Sequence, residues 1–136
     1  MQPYAQEFCN YMDAHNIKYT VKKDNVIRVS YSGTNMDTIA IFVIFDVDND
    51  PLVQLQCWEI QNFKTNEPAA LVLCNELNKE YRWVKFYIDK DKDIIASLDA
   101  VIEKNTCGEE CMQLVRRMVN IIDGAFPQIA RARWAQ

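Results

Sequence analysis

The sequence predicts an α+β domain in which an antiparallel sheet packs against helices. Segments that alternate apolar and polar residues occur before residue 62 and again between residues 82 and 101, which is the period of a β-strand. Two other segments repeat apolar residues at helical spacing, and Pro68, with Asn66 or Glu67 as a cap, marks the start of a third helix. The strands and helices do not alternate one by one, as a parallel sheet built from crossover units would require. The predicted element order is α-ββββ-α-ββ-α.

The first half of the chain is predicted to contain one helix and four strands. The helix covers Gln2 to His15, and Pro3 suits its first turn because a missing N–H costs nothing there. Residues 17–21 and 27–31 then alternate apolar and polar side chains as half-buried strands do. Two further strands are expected at residues 38–46 and 52–60.

The predicted strand at residues 38–46 differs from the others because it is apolar on both faces. Its central run, residues 39–45, contains no polar side chain. An antiparallel sheet normally exposes one face to water, so such a strand needs a second cover. That cover could be another layer of the same chain or another subunit.

The second half of the chain is predicted to contain a helix, a hairpin and a long final helix. These elements are expected at residues 68–79, 82–89 with 93–101, and 106–134. Pro127 lies inside the last segment. Because proline removes one helical hydrogen bond and crowds the preceding turn, we expect it to kink this helix or to break it into two pieces.

Length and composition indicate a single globular domain over residues 1–136. The chain is 49% hydrophobic and 25% charged, and it has only three glycines. Its net charge of −4 and the lack of a basic face argue against nucleic-acid binding. No apolar run approaches the roughly 20 residues of a membrane span, and the N-terminus lacks the pattern of a signal peptide. We therefore expect a cytoplasmic protein without a membrane segment.

The five cysteines are predicted to be free structural thiols: Cys9, Cys57, Cys74, Cys107 and Cys111. Cys107 and Cys111 lie four residues apart near a helix start, a position that lowers the pKa of a thiol. A zinc site needs four ligands, however, and the chain has only one histidine. A redox or metal role for the pair is therefore the weaker interpretation.

Other chemical sites fail on their spacing. The acidic turns at residues 46–50 and 89–93 begin like calcium loops but lack the glycine and glutamate that such loops need at their sixth and twelfth positions. The carboxylates are not paired with a nucleophile or with His15 in a recognisable catalytic pattern. The sequence therefore predicts a protein that is not an enzyme and that has no catalytic residues, no cofactor and no metal.

Three short motifs carry a family resemblance. They are Asn75-Glu-Leu-Asn78, the run Lys85-Phe-Tyr-Ile-Asp89 with the acidic turn after it, and Ala125-Phe-Pro127 in the closing helix. With them, essentially all 136 residues resemble the bacterial YbjN family. The resemblance implies the fold of type III secretion chaperones and a regulatory role in sensory transduction. It also implies a dimeric, protein-binding habit, and it offers no catalytic residues to carry over.

Aromatic residues are the best candidates for function. If Val84, Phe86 and Ile88 face the core, alternation turns Trp83 and Tyr87 to the other side of the sheet, and Trp58 could join them. Exposed tryptophan and tyrosine are common anchors of protein interfaces. The alternative is that the long C-terminal helix covers this face. The candidate partner-binding residues are Trp58, Trp83, Tyr87 and Trp134.

Two functional hypotheses remain. The leading one is a non-enzymatic, chaperone-like or regulatory module that binds a protein or peptide and forms a homodimer through its uncovered sheet face. The other is a sensor domain that holds a small molecule in a pocket between sheet and helices. A contiguous exposed apolar surface would favour the first, and an enclosed cavity with a few convergent polar groups would favour the second.

Overall fold

A computed structural model describes residues 1–134 and confirms the α+β fold with the predicted element order. It contains three helices and a sheet of six strands. The elements are α1 (Pro3–Ala14), β1 (Thr20–Lys23), β2 (Val26–Tyr31), β3 (Ile39–Phe45), β4 (Leu52–Cys57), α2 (Glu67–Glu80), β5 (Lys85–Ile88), β6 (Ile94–Val101) and α3 (Cys107–Trp134).

The strands form one sheet in the order β1-β2-β3-β4-β6-β5, and every neighbouring pair is antiparallel. The first four strands form a meander. Helix α2 then carries the chain past β4 to the edge strand β5, and the last hairpin returns β6 into the place beside β4. As a result β3 and β4 lie at the centre of the sheet, which is where the most apolar strand of the sequence belongs.

One face of the sheet forms the core with the helices. In β3 the side chains of Ile39, Ile41, Val43 and Phe45 are fully buried, and the residues between them are only half-buried. The Phe8 ring of α1 packs against Phe45 with the ring centres 5.9 Å apart. Helix α3 contacts β3, α1 and α2, so all three helices pack on this same face.

Helices α1 and α3 approach each other closely at a glycine. A Cβ added at Gly108 would lie 2.3 Å from the Cβ of Tyr11 and 2.7 Å from its Cγ. Gly108 is buried in the first turn of α3. Because any side chain at this position would push the two helices apart, Gly108 sets their separation.

Pro127 does not break the last helix, although a break was one of the two outcomes expected from the sequence; a kink stays a prediction. Helix α3 runs without interruption from Cys107 to Trp134. Proline cannot donate the hydrogen bond that the carbonyl of Asp123, four residues earlier, would otherwise accept. The side-chain amide of Asn35 donates to that carbonyl at 2.9 Å instead. A loop that is distant in sequence thus satisfies the group that proline leaves unpaired.

The same loop, between β2 and β3, is held by the carboxylate of Asp123. That carboxylate accepts hydrogen bonds from the backbone N–H groups of Thr34, Asn35 and Met36 at 2.8–3.0 Å. These bonds stabilise the charged form and lower the pKa of Asp123. A Cβ at Gly33 would lie 2.3 Å from the carboxylate, so the loop can approach α3 only with glycine there.

Helix α2 is tied to the edge strand β5 by one side chain. The amide group of Asn78 donates to the carbonyl of Phe86 at 3.0 Å and accepts from the N–H of Phe86 at 2.8 Å. Asn78 belongs to one of the motifs that carry the family resemblance. It pairs the backbone N–H and C=O of Phe86 in the edge strand β5, where such groups would otherwise be left without a strand partner.

The strand ends differ from the expected bounds where the backbone turns left-handed. Strand β4 ends at Cys57, short of the predicted Ile60, because Glu59 has a φ of 55°. Strand β5 begins at Lys85, later than the predicted residue 82, because Trp83 has a φ of 76°. A side chain in this conformation leaves the alternating pattern of a strand.

Candidate functional site: the open face of the sheet

The second face of the sheet has no helix over it within residues 1–134. Its residues are the alternate members of the strands, and in β3 these are Ala40, Phe42 and Ile44, all half-buried. The register places Phe42 beside Arg28 of β2 on one side and Gln56 of β4 on the other. The long C-terminal helix packs on the core face, so it does not cover this one. We call this surface the open face.

A stacked aromatic pair lies near the centre of the open face. The rings of Phe42 and Trp58 are 4.0 Å apart between centres and nearly parallel, at 14°. The indole N–H of Trp58 donates to the side-chain carbonyl of Gln56. Trp58 is nevertheless 43% exposed. A large ring that is fixed in position but still open to solvent loses little conformational freedom when it binds, which suits an interface anchor.

Tyr87 lies on the same face, two strands away from Trp58. Ile95 of β6 is paired with Tyr87 and forms the floor between the two aromatic residues. The resulting groove has a volume of about 340 Å³, and four acidic residues also line it. They are Glu59, Asp89, Asp91 and Asp93. Lys85 lies over the Tyr87 ring, with its Nζ 5.6 Å from the ring centre.

Apolar residues continue to the opposite end of the open face. Leu52 of β4 and Val101 of β6 are paired, and they are 46% and 75% exposed. With Ile44 they line a groove of about 640 Å³. The face therefore carries an apolar strip from Trp58 to Val101. A strip this long is more than the isolated apolar residues that any protein surface shows.

Charged side chains flank this strip. Arg28 projects from β2, and Asp99 projects from β6 beside Gln54 of β4. Between them the outward side chains of β3 and β4 are apolar or neutral amides. Gln54 also lies 3.4 Å from the buried hydroxyl of Ser97, so the neutral polar groups are partly engaged with each other.

The structure brings together two of the four candidate residues and separates the others. Trp58 and Tyr87 share the open face, but the prediction that Trp83 joins them is wrong. The left-handed backbone at Trp83 turns its ring toward α3, where the guanidinium of Arg117 lies 5.2 Å from the ring centre. Trp134 lies at the end of α3 with Arg133 over its ring at 4.5 Å.

Two features of the protein surface were not predicted from the sequence. Phe42 was not singled out, although the apolar character of β3 on both faces was the signal for it. A second apolar groove of about 600 Å³ runs between α2 and α3 beside Val72, which is 65% exposed, and Ala132. Val72 is an apolar residue on the exposed side of α2, and this departure from the amphipathic pattern was the sequence feature that could have indicated the groove.

The cysteines are free and buried. The Cys107 thiol donates to the carbonyl of Tyr4 at 3.3 Å. A hydrogen bond with Cys111 lowers the pKa of Cys107 and raises that of Cys111. Burial raises the pKa of Cys57 to about 12. Within residues 1–134 no three potential ligands cluster in a way that could hold a metal ion. The absence of a bound metal stays a prediction.

Comparison with known families finds a match over nearly the whole chain. Residues 5–131 match the YbjN family, which is described as "Putative bacterial sensory transduction regulator". The chain belongs to the YbjN family. The match covers the whole sheet and all three helices except the last residues of α3 and the first two of α1. A search of curated proteins finds no match. None of the helices described is long and apolar enough to cross a membrane.

Proposed function

We propose that this member of the YbjN family is a non-catalytic regulatory module that binds a protein chain on its open sheet face. The observation that supports this proposal is the exposed aromatic and aliphatic strip of that face, anchored by the Phe42–Trp58 stack. Interface cores are enriched in aromatic residues and depleted of charge, and the outward side chains of β3 and β4 have this composition.

The surroundings of the titratable groups support a role without catalysis. The ring of His15, the one histidine of the sequence, stacks on Tyr11 and its Nδ1 lies 2.8 Å from the Tyr11 carbonyl. The five cysteines are buried, and burial raises the pKa of Cys57 and Cys74, which makes these two thiols poor nucleophiles. We include in the proposal a chaperone-like mode of action, a homodimeric state and a cytoplasmic location.

A sensor for a small molecule is the second candidate function. The groove between Trp58 and Tyr87 favours it, because two aromatic side chains and four carboxylates would suit a small organic cation. This groove lies on the open face, whereas the sequence-based hypothesis placed the pocket between sheet and helices. That interior space is filled with buried apolar side chains.

The proposal is tested by comparing what co-purifies with variants of the chain. Affinity capture from native lysate, followed by mass spectrometry, would use the wild type, Trp58→Ala and the matched control Trp83→Ala. We expect Trp58→Ala to lose the specific proteins and Trp83→Ala to keep them, because only Trp58 is on the open face. Identical protein sets for all three would contradict the proposal. Circular dichroism would check that both variants are folded.

A further inference from the structure

We infer that the chain seated on the open face is a second copy of this protein, packed sheet against sheet so that Arg28 of each copy lies within reach of Asp99 of the other. The inference rests on the proposed function, since it names the occupant of the same surface. It is carried by the size of the face, by the distribution of its side chains and by two charges that form no ion pair within residues 1–134.

The open face is large enough for a stable dimer. Strand β3 has seven residues and the sheet has six strands, so the face measures about 24 Å along the strands and about 24 Å across them. Its pleated side chains make the accessible area larger than this plane. The total approaches the ~800 Å² per partner that a standard interface buries.

The side chains of the open face have the arrangement of an interface. No charged side chain projects outward from the two central strands. The outward residues there are Ala40, Phe42 and Ile44 of β3 and Leu52, Gln54 and Gln56 of β4. Charge is confined to the neighbouring strands and edges, which is the apolar centre and polar rim of a protein–protein interface.

A two-fold axis brings two of the flanking charges close to each other. An axis between β3 and β4, parallel to the strands, places β2 of one copy over β6 of the other, because these strands lie one step outside the central pair. Arg28 of one copy then faces Ser97 of the other, since both lie in the row of residues paired across the sheet with Phe42. Asp99 is the next outward-facing residue of β6, one row further along. That offset is about 7 Å, which an arginine side chain spans.

Neither charge has an ion-pair partner within residues 1–134. Arg28 is half-buried and Asp99 is exposed. The same axis places Trp58 over the row of Ala40 in the second copy, where the small side chain leaves room for the ring. A two-fold axis uses each contact twice, so both the apolar and the ionic contacts are doubled.

Charge reversal tests the pairing. Light scattering after gel filtration, over micromolar concentrations, would measure the wild type, Arg28→Asp, Asp99→Arg and the double reversal. We expect the wild type at twice the 15.9 kDa of one chain. Each single reversal places like charges opposite each other and should weaken the dimer at least tenfold. The double reversal should restore it. Arg116→Asp, on exposed α3, makes the same charge change elsewhere and should have no effect.

Two outcomes would overturn the inference. One is a wild-type chain that stays at 15.9 kDa at every concentration. The other is a dimer that neither single reversal weakens, which would place the interface elsewhere, for example at the groove between α2 and α3. If the chain is monomeric but Trp58→Ala still loses its captured proteins, the docking function stands and only the second copy as occupant is rejected.

Discussion

Replacing Gly108 by alanine should destabilise the protein, although the same change in a helix is ordinarily favourable. Alanine exceeds glycine in helix propensity by about 1 kcal/mol. At Gly108, however, the new Cβ would lie 2.3 Å from the Cβ of Tyr11. Carbon atoms in contact are about 3.5–4.0 Å apart. The two helices must therefore separate by more than an ångström, or the first turn of α3 must shift.

The expected change in the free energy of unfolding follows from the helix propensity of alanine and from its overlap with Tyr11. Overpacking a buried site costs about 1–3 kcal/mol, and the overlap with Tyr11 is large, so we expect the upper half of that range. Subtracting the gain in helix propensity leaves a net loss of about 1–2 kcal/mol in the free energy of unfolding. Gly124, in the same helix, is exposed, and its added Cβ would meet nothing nearer than the Tyr81 hydroxyl at 3.9 Å.

Urea denaturation of the wild type, Gly108→Ala and Gly124→Ala separates the cost of overpacking from the gain in helix propensity. Gly124→Ala should gain about 0.5–1 kcal/mol, because it carries the propensity term without the clash. The two variants should therefore shift the unfolding midpoint in opposite directions. If both stabilise the chain by the same amount, α1 and α3 do not approach each other at Gly108 as described, and the argument for their packing fails.

Two further predictions concern side chains that hold distant segments together. Asp123→Asn should remove a pH dependence of the free energy of unfolding. Because the pKa of Asp123 is lower in the folded chain than its unfolded value of about 3.9, the charged carboxylate stabilises the fold above that pH. This stabilisation is lost as the pH falls through the folded pKa. Between pH 7 and pH 3 the free energy of unfolding should fall more in the wild type than in the variant. Parallel curves of this free energy against pH would contradict the prediction. Asn78→Ala should cost about 1–3 kcal/mol in urea unfolding, because it leaves both backbone groups of Phe86 unpaired. The control Asn75→Ala, one turn earlier and exposed, should be nearly neutral, and equal losses would argue against the Asn78 contact.

The elements of this fold were predictable because each depends on local periodicity. The alternation in β2 and the helical spacing in α3 identify their segments without any knowledge of what they pack against. The order of the elements and the antiparallel sheet followed from that reading. The apolar character of β3 on both faces also indicated a strand that would need a cover on its second side.

Features that depend on distant partners were not predictable. Pro127 was expected to kink or break α3. The helix is not broken, and the Asp123 carbonyl that proline leaves unpaired accepts a hydrogen bond from Asn35, which is 88 residues away in the sequence. Trp83 was placed on the wrong surface because strand alternation was extended through a left-handed residue. The stacking of Trp58 on Phe42 could not be predicted, because it depends on the register of β3 against β4.

The sequence by itself therefore determined the type and order of the secondary-structure elements and the family resemblance, because periodicity and short motifs are local properties. The tertiary structure alone decided which face of the sheet the three helices cover. It also decided that β6 inserts between β4 and β5, which places Asp99 across the two central strands from Arg28. Strand order and layer choice arise from contacts between residues far apart in the chain, and no local pattern encodes them.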